Sequence, residues 1–330
     1  MGILMTSIKP HQVSRNLKGY SVMFYGTPKS GKTTTACKFP NHLLLAFEKG
    51  YSTIPGAMAL PINSWTEFRS AIVDLKDEET KQMYDTVIMD TADIAYMYCE
   101  KYICNREGKA TIGDIPYGAG YGMVETEFDD CLRKIIQLGY GLVLISHSTD
   151  RTEKDTDGSE YLKMMPTLDK RGRKVCERTC DIIGLSQPVK NAQGEIETRL
   201  FLRETPRFVA GSRFKYMPDS IVFTYDNLVN AIAEAVDLEA KEHGNQYVTD
   251  KFVNLHADNA IETTADYEEL MAEFQVLVGK AMEKSQSNRA RITSIVNEYL
   301  GFGKKVSECT EINTPQLLLI VAELRKLVTE

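Results

Sequence analysis

The sequence predicts an α/β protein built on a mostly parallel sheet, followed by a small C-terminal helical domain. Three observations carry this. An apolar run, YSVMFY at residues 20–25, leads into a glycine-punctuated loop and then a helix. Further short apolar runs alternate with segments of helical periodicity through residue 238, the pattern of parallel strands covered on both faces. Beyond residue 265 only helical patterns remain.

Taken in order, residues 1–19 are polar and basic and read as a poorly ordered arm. The run at 20–25 is the first buried strand, 26–33 the loop, and 34–39 the start of a helix that Pro40 and Asn41 end. Residues 42–47 (HLLLAF) form the second strand. Trp65, Phe68, Ile72 and Leu75 recur at helical spacing. Residues 86–89 (TVIM) form a third strand and 92–104 a helix, while 108–122 are glycine-rich and aperiodic. Val124, Phe128, Leu132, Ile135 and Ile136 line one face of a helix at 123–138. Residues 141–146 (GLVLIS) form the fourth strand, 149–168 a long polar loop, and 169–180 a basic helix. Residues 182–185, 198–202 and 207–210 read as later strands and 226–238 as one more helix.

The core thus spans 20–240, a polar linker 241–265, and the helical domain 266–330. Helices in that domain are expected at 266–283, 289–300 and 315–328, the last with Thr314 as N-cap and Pro315 at its first position. Right-handed crossovers bring the carboxyl ends of the strands to one edge, where such sheets bind ligands.

The bulk numbers narrow the function classes. The chain has 330 residues, 43% of them hydrophobic, and a net charge of −7. That charge is uneven: residues 1–225 sum to +1 and residues 226–330 to −8. A polyanion must therefore be met by a local basic patch, not by the whole surface. Seven cysteines include no C-x-x-C pair, which argues for free thiols over a disulfide framework or a zinc site. No apolar stretch approaches the roughly 20 residues of a membrane helix, and the first residues carry no secretory pattern. The expected location is cytoplasmic, in a host cell if the chain is phage-encoded.

The stretch Gly26-Thr27-Pro28-Lys29-Ser30-Gly31-Lys32-Thr33 fits G-x-x-x-x-G-K-[ST] at every fixed position, and Thr34 follows it into the helix. Glycines let such a loop wrap and aim its N–H groups inward. Lys32 reaches the outer phosphates, and the Thr33 hydroxyl ligates magnesium. The strand before and the helix after supply the context the motif requires. ATP and magnesium are the expected ligands. Asp90 ends an apolar strand and is placed to hold a water on the metal. Asp93 reads first as an acid at the start of the next helix. Hydrolysis also needs a group that orients or deprotonates water. Glu48 ends the second strand beside the loop, and Ser146 and His147 end the fourth, facing the γ-phosphate. The plainer alternatives are a solvated glutamate and a strand-end histidine.

The residues YGTPKSGKT, the strand ending at Glu48, VIMD at Asp90, LISHS at His147 and LFLRETPRFVAGSRF at 200–214 resemble the RecA-like P-loop ATPases. More narrowly, they are similar to the phage nucleotide-binding proteins of that group, some of which act in single-strand annealing or recombination. The resemblance spans residues 20–225. It implies Glu48 as catalytic base, Ser146 and His147 as the γ-phosphate sensor, and single-strand binding by loops at 106–122 and 148–168. Tyr117 and Tyr121 in the first loop are candidates to stack on bases, at roughly 1–3 kcal/mol each, or simply pack the loop. The second loop contains Arg151, Lys154 and Lys163 but also Glu153, Asp155, Asp157 and Glu160, which argues against a strongly basic loop. Lys170, Arg171, Arg173, Lys174 and Arg178 on the helix after it form a better phosphate surface, with a solvated basic face as the alternative. The resemblance also implies a cation donated from a neighbouring subunit, with Arg203, Arg207, Arg213 and Lys215 on the late strands as candidates, Arg203 and Arg213 lying in the matching segment, and hence self-association in a ring or filament.

The functional expectation is an ATP-hydrolysing protein acting on single-stranded DNA in recombination or annealing. An ATP-driven switch for a protein partner, docked through the acidic helical tail, is the alternative. A small-molecule kinase, with 170–178 as an arginine lid, fits the late strands and Glu48 less well.

Overall fold

The computed structural model describes residues 10–252, 267–301, 303–310 and 313–329. The chain forms two compact units, Met1–Asp258 and Asn259–Glu330.

The first unit is a twisted sheet of ten strands among the described residues. Its parallel centre comprises β2 (Ser21–Gly26), β3 (His42–Ala46), β4 (Ala59–Pro61), β5 (Thr86–Asp90), β6 (Gly141–Lys154) and β8 (Ile182–Lys190). Their spatial order is β8-β2-β6-β5-β3-β4, every neighbouring pair parallel. Antiparallel β9 (Ile196–Phe201), β10 (Gly211–Ser212) and β11 (Ser220–Val222) extend the β8 side, and β7 (Glu160–Pro166) pairs with β6.

Alternation along each strand feeds two cores. Met23, Tyr25, Val87, Met89, Leu142 and Leu144 face one side. There they meet α2 (Trp65–Asp74), α4 (Ala92–Arg106), α5 (Ala119–Gln137) and α6 (Lys170–Thr179). Val22, Phe24, Ile88, Val143 and Ile145 face the other, under α1 (Lys32–Ala36) and α7 (Tyr225–His243). Phe128, fully buried on α5, stacks on Trp65 and takes the edge of Tyr96, so it ties α2, α4 and α5 together. Ser64 caps α2, accepting from the Glu67 N–H at 3.2 Å.

Several expectations are corrected. The arm is shorter than residues 1–19: β1 (Val13–Ser14) pairs with β12 (Val248–Thr249), and Leu17 is buried in the core. Residues 1–9 lie outside the described residues. The core likewise outlasts residue 240, because α7 runs to His243 and β12 follows; the rest of the expected linker, 253–265, lies outside the described residues. The aperiodic stretch at 108–122 holds two short helical turns and the start of α5. The loop at 149–168 is instead a hairpin: β6 continues eight residues past Ser146 and pairs antiparallel with β7. Residues 207–210 form no strand, Phe208 making only isolated bridges. The short α3 (Glu78–Met83) and the edge strand β4 have no counterpart in the sequence reading.

The second unit packs α8 (Tyr267–Lys284), α9 (Asn288–Leu300) and α10 (Thr314–Thr329) around Leu277, Ala281, Ile292, Leu317, Ile320 and Leu324. The helices match the predicted ones, except that Thr314 is α10's first residue. No helix among the described residues is long and apolar enough to cross a membrane.

Phe128→Ala is expected to destabilise the first unit by about 3–5 kcal/mol in urea unfolding; a loss below about 1 kcal/mol would show that the three helices do not depend on this ring.

Candidate functional site

The site lies at the carboxyl edge of the sheet. β2 ends in Gly26 with φ +154°, and a Cβ there would stand 2.2 Å from the Ser186 carbonyl oxygen. Only glycine lets the loop pass that close under β8. Ser186, fully buried, donates from its hydroxyl to the Ser30 carbonyl at 2.7 Å and so fastens the loop to β8. Lys29 (φ 66°) and Gly31 (φ 80°) take the left-handed backbone that closes the loop onto α1. Inside it, Lys32 donates to the carbonyls of Thr27 at 2.8 Å and Gly26 at 3.1 Å, and to Ser30 Oγ at 3.4 Å. Lys32 is 6% exposed, and burial lowers its pKa, opposed by Asp90, Glu48 and Asp93.

Thr33 Oγ1 donates to Asp90 Oδ2 at 2.8 Å. Burial pushes the Asp90 pKa up to about 6; the Thr33 bond, Lys32 and His147 favour the charged form, and Glu48 opposes it. The other carboxylate oxygen, Asp90 Oδ1, is buried with no hydrogen-bond partner. Gly50 backs this corner: a Cβ on it would lie 3.4 Å from Asp90 Oδ2, 3.5 Å from Thr33 Oγ1 and 3.6 Å from Glu48 Oε1. A hydroxyl and two carboxylates converging on one small volume suit a hard divalent cation with oxygen ligands. Thr33 and Asp90 therefore fit magnesium.

Glu48 is set by backbone. The N–H groups of Phe47 and Glu48 both donate to the Asp90 carbonyl, at 2.7 and 3.3 Å, so β3 delivers the carboxylate beside the Asp90 strand end. β6 lies between β2 and β5, with His147 opposite Gly26 and Ile145 opposite Asp90. That places His147 between loop and metal corner, its Nε2 3.4 Å from Glu48 Oε2. Together these groups line a pocket of about 390 Å³ with Pro28, Lys29, Gly31, Lys32, Thr33, Thr34, Gly50, Thr53, Ile54 and Ile145.

The remaining sequence-derived candidates are placed differently. Gly26, Thr27 and Ser30 hold Lys32 from behind. Ser146 is fully buried and donates to the His147 carbonyl at 3.1 Å, turned away from the pocket. It buttresses the His147 carbonyl and is not among the residues lining the pocket. Arg203 pairs with Asp219; Arg213 pairs with Asp181 at 3.1 Å and donates to the Arg178 carbonyl at 2.7 Å. Asp181 also accepts from the Ser21 N–H at the start of β2, so Arg213 lies at the edge opposite the loop, roughly 17 Å away along β2. Neither arginine reaches its own chain's loop, since β9 carries Arg203 the same way past Leu185.

On α6, Arg171 pairs with Glu125 at 3.1 Å, Arg178 with Asp129 at 3.2 Å and Arg173 with Glu177 at 3.5 Å, while Lys170 and Lys174 are exposed. Tyr117 is fully exposed at φ 58°, and Tyr121 sits in α5 under the Arg171 guanidinium at 5.7 Å. Sequence reasoning missed Gly50, Ser186 and the hairpin. Glycine two residues after a strand-end glutamate, and Asp157-Gly158 at the hairpin tip, were the available signs.

Residues 18–214 match the AAA domain family. The chain is also similar to an SPbeta prophage-derived uncharacterized protein, YorG, of Bacillus subtilis (strain 168): 30% identical over 324 residues, 96% of each chain.

Lys32→Ala is expected to abolish ATP binding in an equilibrium titration. Glu48→Gln is expected to bind ATP with magnesium normally and to lose about 10²–10⁴-fold in turnover; normal turnover removes Glu48 as the base. A pH effect follows from Asp90. Its folded pKa stands above its unfolded value, so in the free protein its contribution to stability is fullest below the unfolded pKa and is lost as pH rises through about 6. Magnesium needs the charged form. The thermal stabilisation given by ATP with magnesium is therefore expected to shrink as pH falls through about 6; a constant stabilisation across that range would contradict this reading of Asp90.

Proposed function

The chain belongs to the AAA domain family, and on that premise we propose that it binds and hydrolyses ATP to control its grip on single-stranded DNA in phage recombination or annealing. The observation that carries the ATPase half is the pocket where Lys32, the Thr33–Asp90 pair, and the Glu48–His147 pair meet. Lys32 leaves the loop carbonyls for the β- and γ-phosphates. Thr33 and Asp90 would hold magnesium, which when bound would supply positive charge for the phosphates. Glu48 takes the proton of the attacking water, and His147 senses the γ-phosphate. Arg203 or Arg213 of a neighbouring copy supplies the further cation, so turnover requires an oligomer.

The DNA half is supported by the resemblance to RecA-like phage recombination proteins, by the prophage origin of the Bacillus subtilis relative, and by position. The β6–β7 hairpin rises directly from His147, and α6 follows it with Lys170 and Lys174 exposed, joined by Arg171 stacked on Tyr121. One observation favours a protein-binding switch instead. The hairpin carries Asp150, Glu153, Asp155, Asp157 and Glu160 against Arg151, Lys154 and Lys163. The kinase reading loses its lid, because 170–178 is a packed helix whose Arg171 and Arg178 serve acids on α5.

The test is a titration of single-stranded DNA with and without ATP, across salt concentrations. ATP-dependent binding that weakens with salt supports the reading, and Arg171→Glu with Arg173→Glu is expected to reduce affinity at least tenfold. No binding in either nucleotide state would favour the protein-binding switch.

A further inference from the structure

Among the described residues, six buried side-chain polar atoms lack a hydrogen-bond partner, and four of them belong to residues in or next to the pocket lining: Asp90 Oδ1, Thr91 Oγ1, Asp93 Oδ1 and His147 Nδ1. The metal accounts for the first. It does not account for Asp93, one helical turn further into α4, or for the ring nitrogen of His147 that faces away from Glu48. Unpartnered buried polar atoms are rare in folded proteins and disfavoured; a donor-capable ring nitrogen and a carboxylate oxygen left open in the same corner are chemically complementary.

The plainer role for Asp93 is an acid in the first turn of α4, favoured by the helix dipole. That role asks for a carboxylate near the helix end. It does not ask for an oxygen turned into the protein interior. Burial raises the Asp93 pKa; Thr91 and the charge of His147 act against that rise, while Glu48 adds to it. The carboxyl thus feels the two groups of the proposed water-activating pair.

We propose that Asp93 is a positioning residue for hydrolysis: it holds the His147 ring from the Nδ1 side and so sets where Nε2 stands between Glu48 and the γ-phosphate. His147 hangs from β6 alone, with its carbonyl engaged by the Ser146 hydroxyl and the Thr167 N–H. The backbone is therefore fixed while the ring still needs a second point of support. A water between Asp93 Oδ1 and His147 Nδ1, or a small ring rotation when ATP enters, completes that support. Thr91 Oγ1 lies between the two acids in sequence and is the natural third partner. This inference rests on the ATPase reading above.

The test is a kinetic double-mutant cycle on the full chain. Asp93→Asn is expected to lower kcat about tenfold and leave the KM for ATP within about twofold. Asp93→Glu, which keeps the carboxylate, is expected to recover most of the loss. In the His147→Ala background Asp93→Asn is expected to cost nothing further, because a residue acting through His147 has nothing left to act on. Additive losses, an unchanged kcat in Asp93→Asn, or equal impairment of the Asn and Glu variants overturns the proposal. Should Asp93→Asn fail to fold, Asp93→Glu and its combination with His147→Ala decide in the same way. A parent chain that hydrolyses no ATP in this assay defeats the proposed function; a parent that turns over while Asp93→Asn keeps pace defeats this inference alone.

Discussion

The site depends on one carboxylate held where charge is disfavoured. Asp90 is 1% exposed, at the end of a strand buried on both faces. An isolated ionised group there is strongly disfavoured, and its pKa rises accordingly. It is tolerated because Thr33 reaches it from the phosphate loop, its own backbone carbonyl anchors the end of β3, and its second oxygen is left for a ligand. Loop, metal corner and Glu48 are thus all referenced to the tip of β5. A shift there moves each of them.

Strand order then decides which side chains meet. Had β2 and β5 been neighbours, Thr33 and Asp90 would still face each other, but nothing would stand between loop and Glu48. Inserting β6 places His147 opposite Gly26, and β3 on the far side of β5 brings in Glu48. Four residues distant in sequence become one pocket through topology alone. On the other flank, β8 presses Ser186 against Gly26 so closely that a methyl group would not fit. The loop is consequently braced from behind and open only toward the pocket.

This division explains how much was legible in the sequence. The central strands, the helices around Trp65, Phe128 and Leu228, and the three tail helices are written in apolar periodicity, because each buries a face. The phosphate loop is written as a motif, because backbone geometry there restricts the residue types. The β6–β7 hairpin was illegible for the opposite reason. From Thr149 to Lys154 both faces meet solvent, so no alternation marks the strand. β4 escaped because three residues at a sheet edge carry no period. Ser146 was legible as a polar strand-end residue but not as one turned inward, since alternation fixes the face of a strand residue only where the strand continues straight, and here the backbone carbonyl of His147 captures its hydroxyl. Ser186 and Gly50 matter only through what lies across from them, and a single sequence does not show that.

The hairpin's position bears on what the nucleotide can control. Its first residue, Ser148, follows His147 directly, and the return strand closes on the same point, where the Thr167 N–H donates to the His147 carbonyl at 3.0 Å. Tyr25, from the strand that carries the phosphate loop, also reaches the Met164 carbonyl at 3.3 Å. Both legs of the hairpin are therefore rooted in residues that border the pocket. The hairpin thus forms a two-stranded lever whose outer residues are exposed. The acids along that lever repel phosphate, whereas Lys170 and Lys174 at its base attract it. Under the DNA reading, a strand would lie across the base of the hairpin and not along its tip.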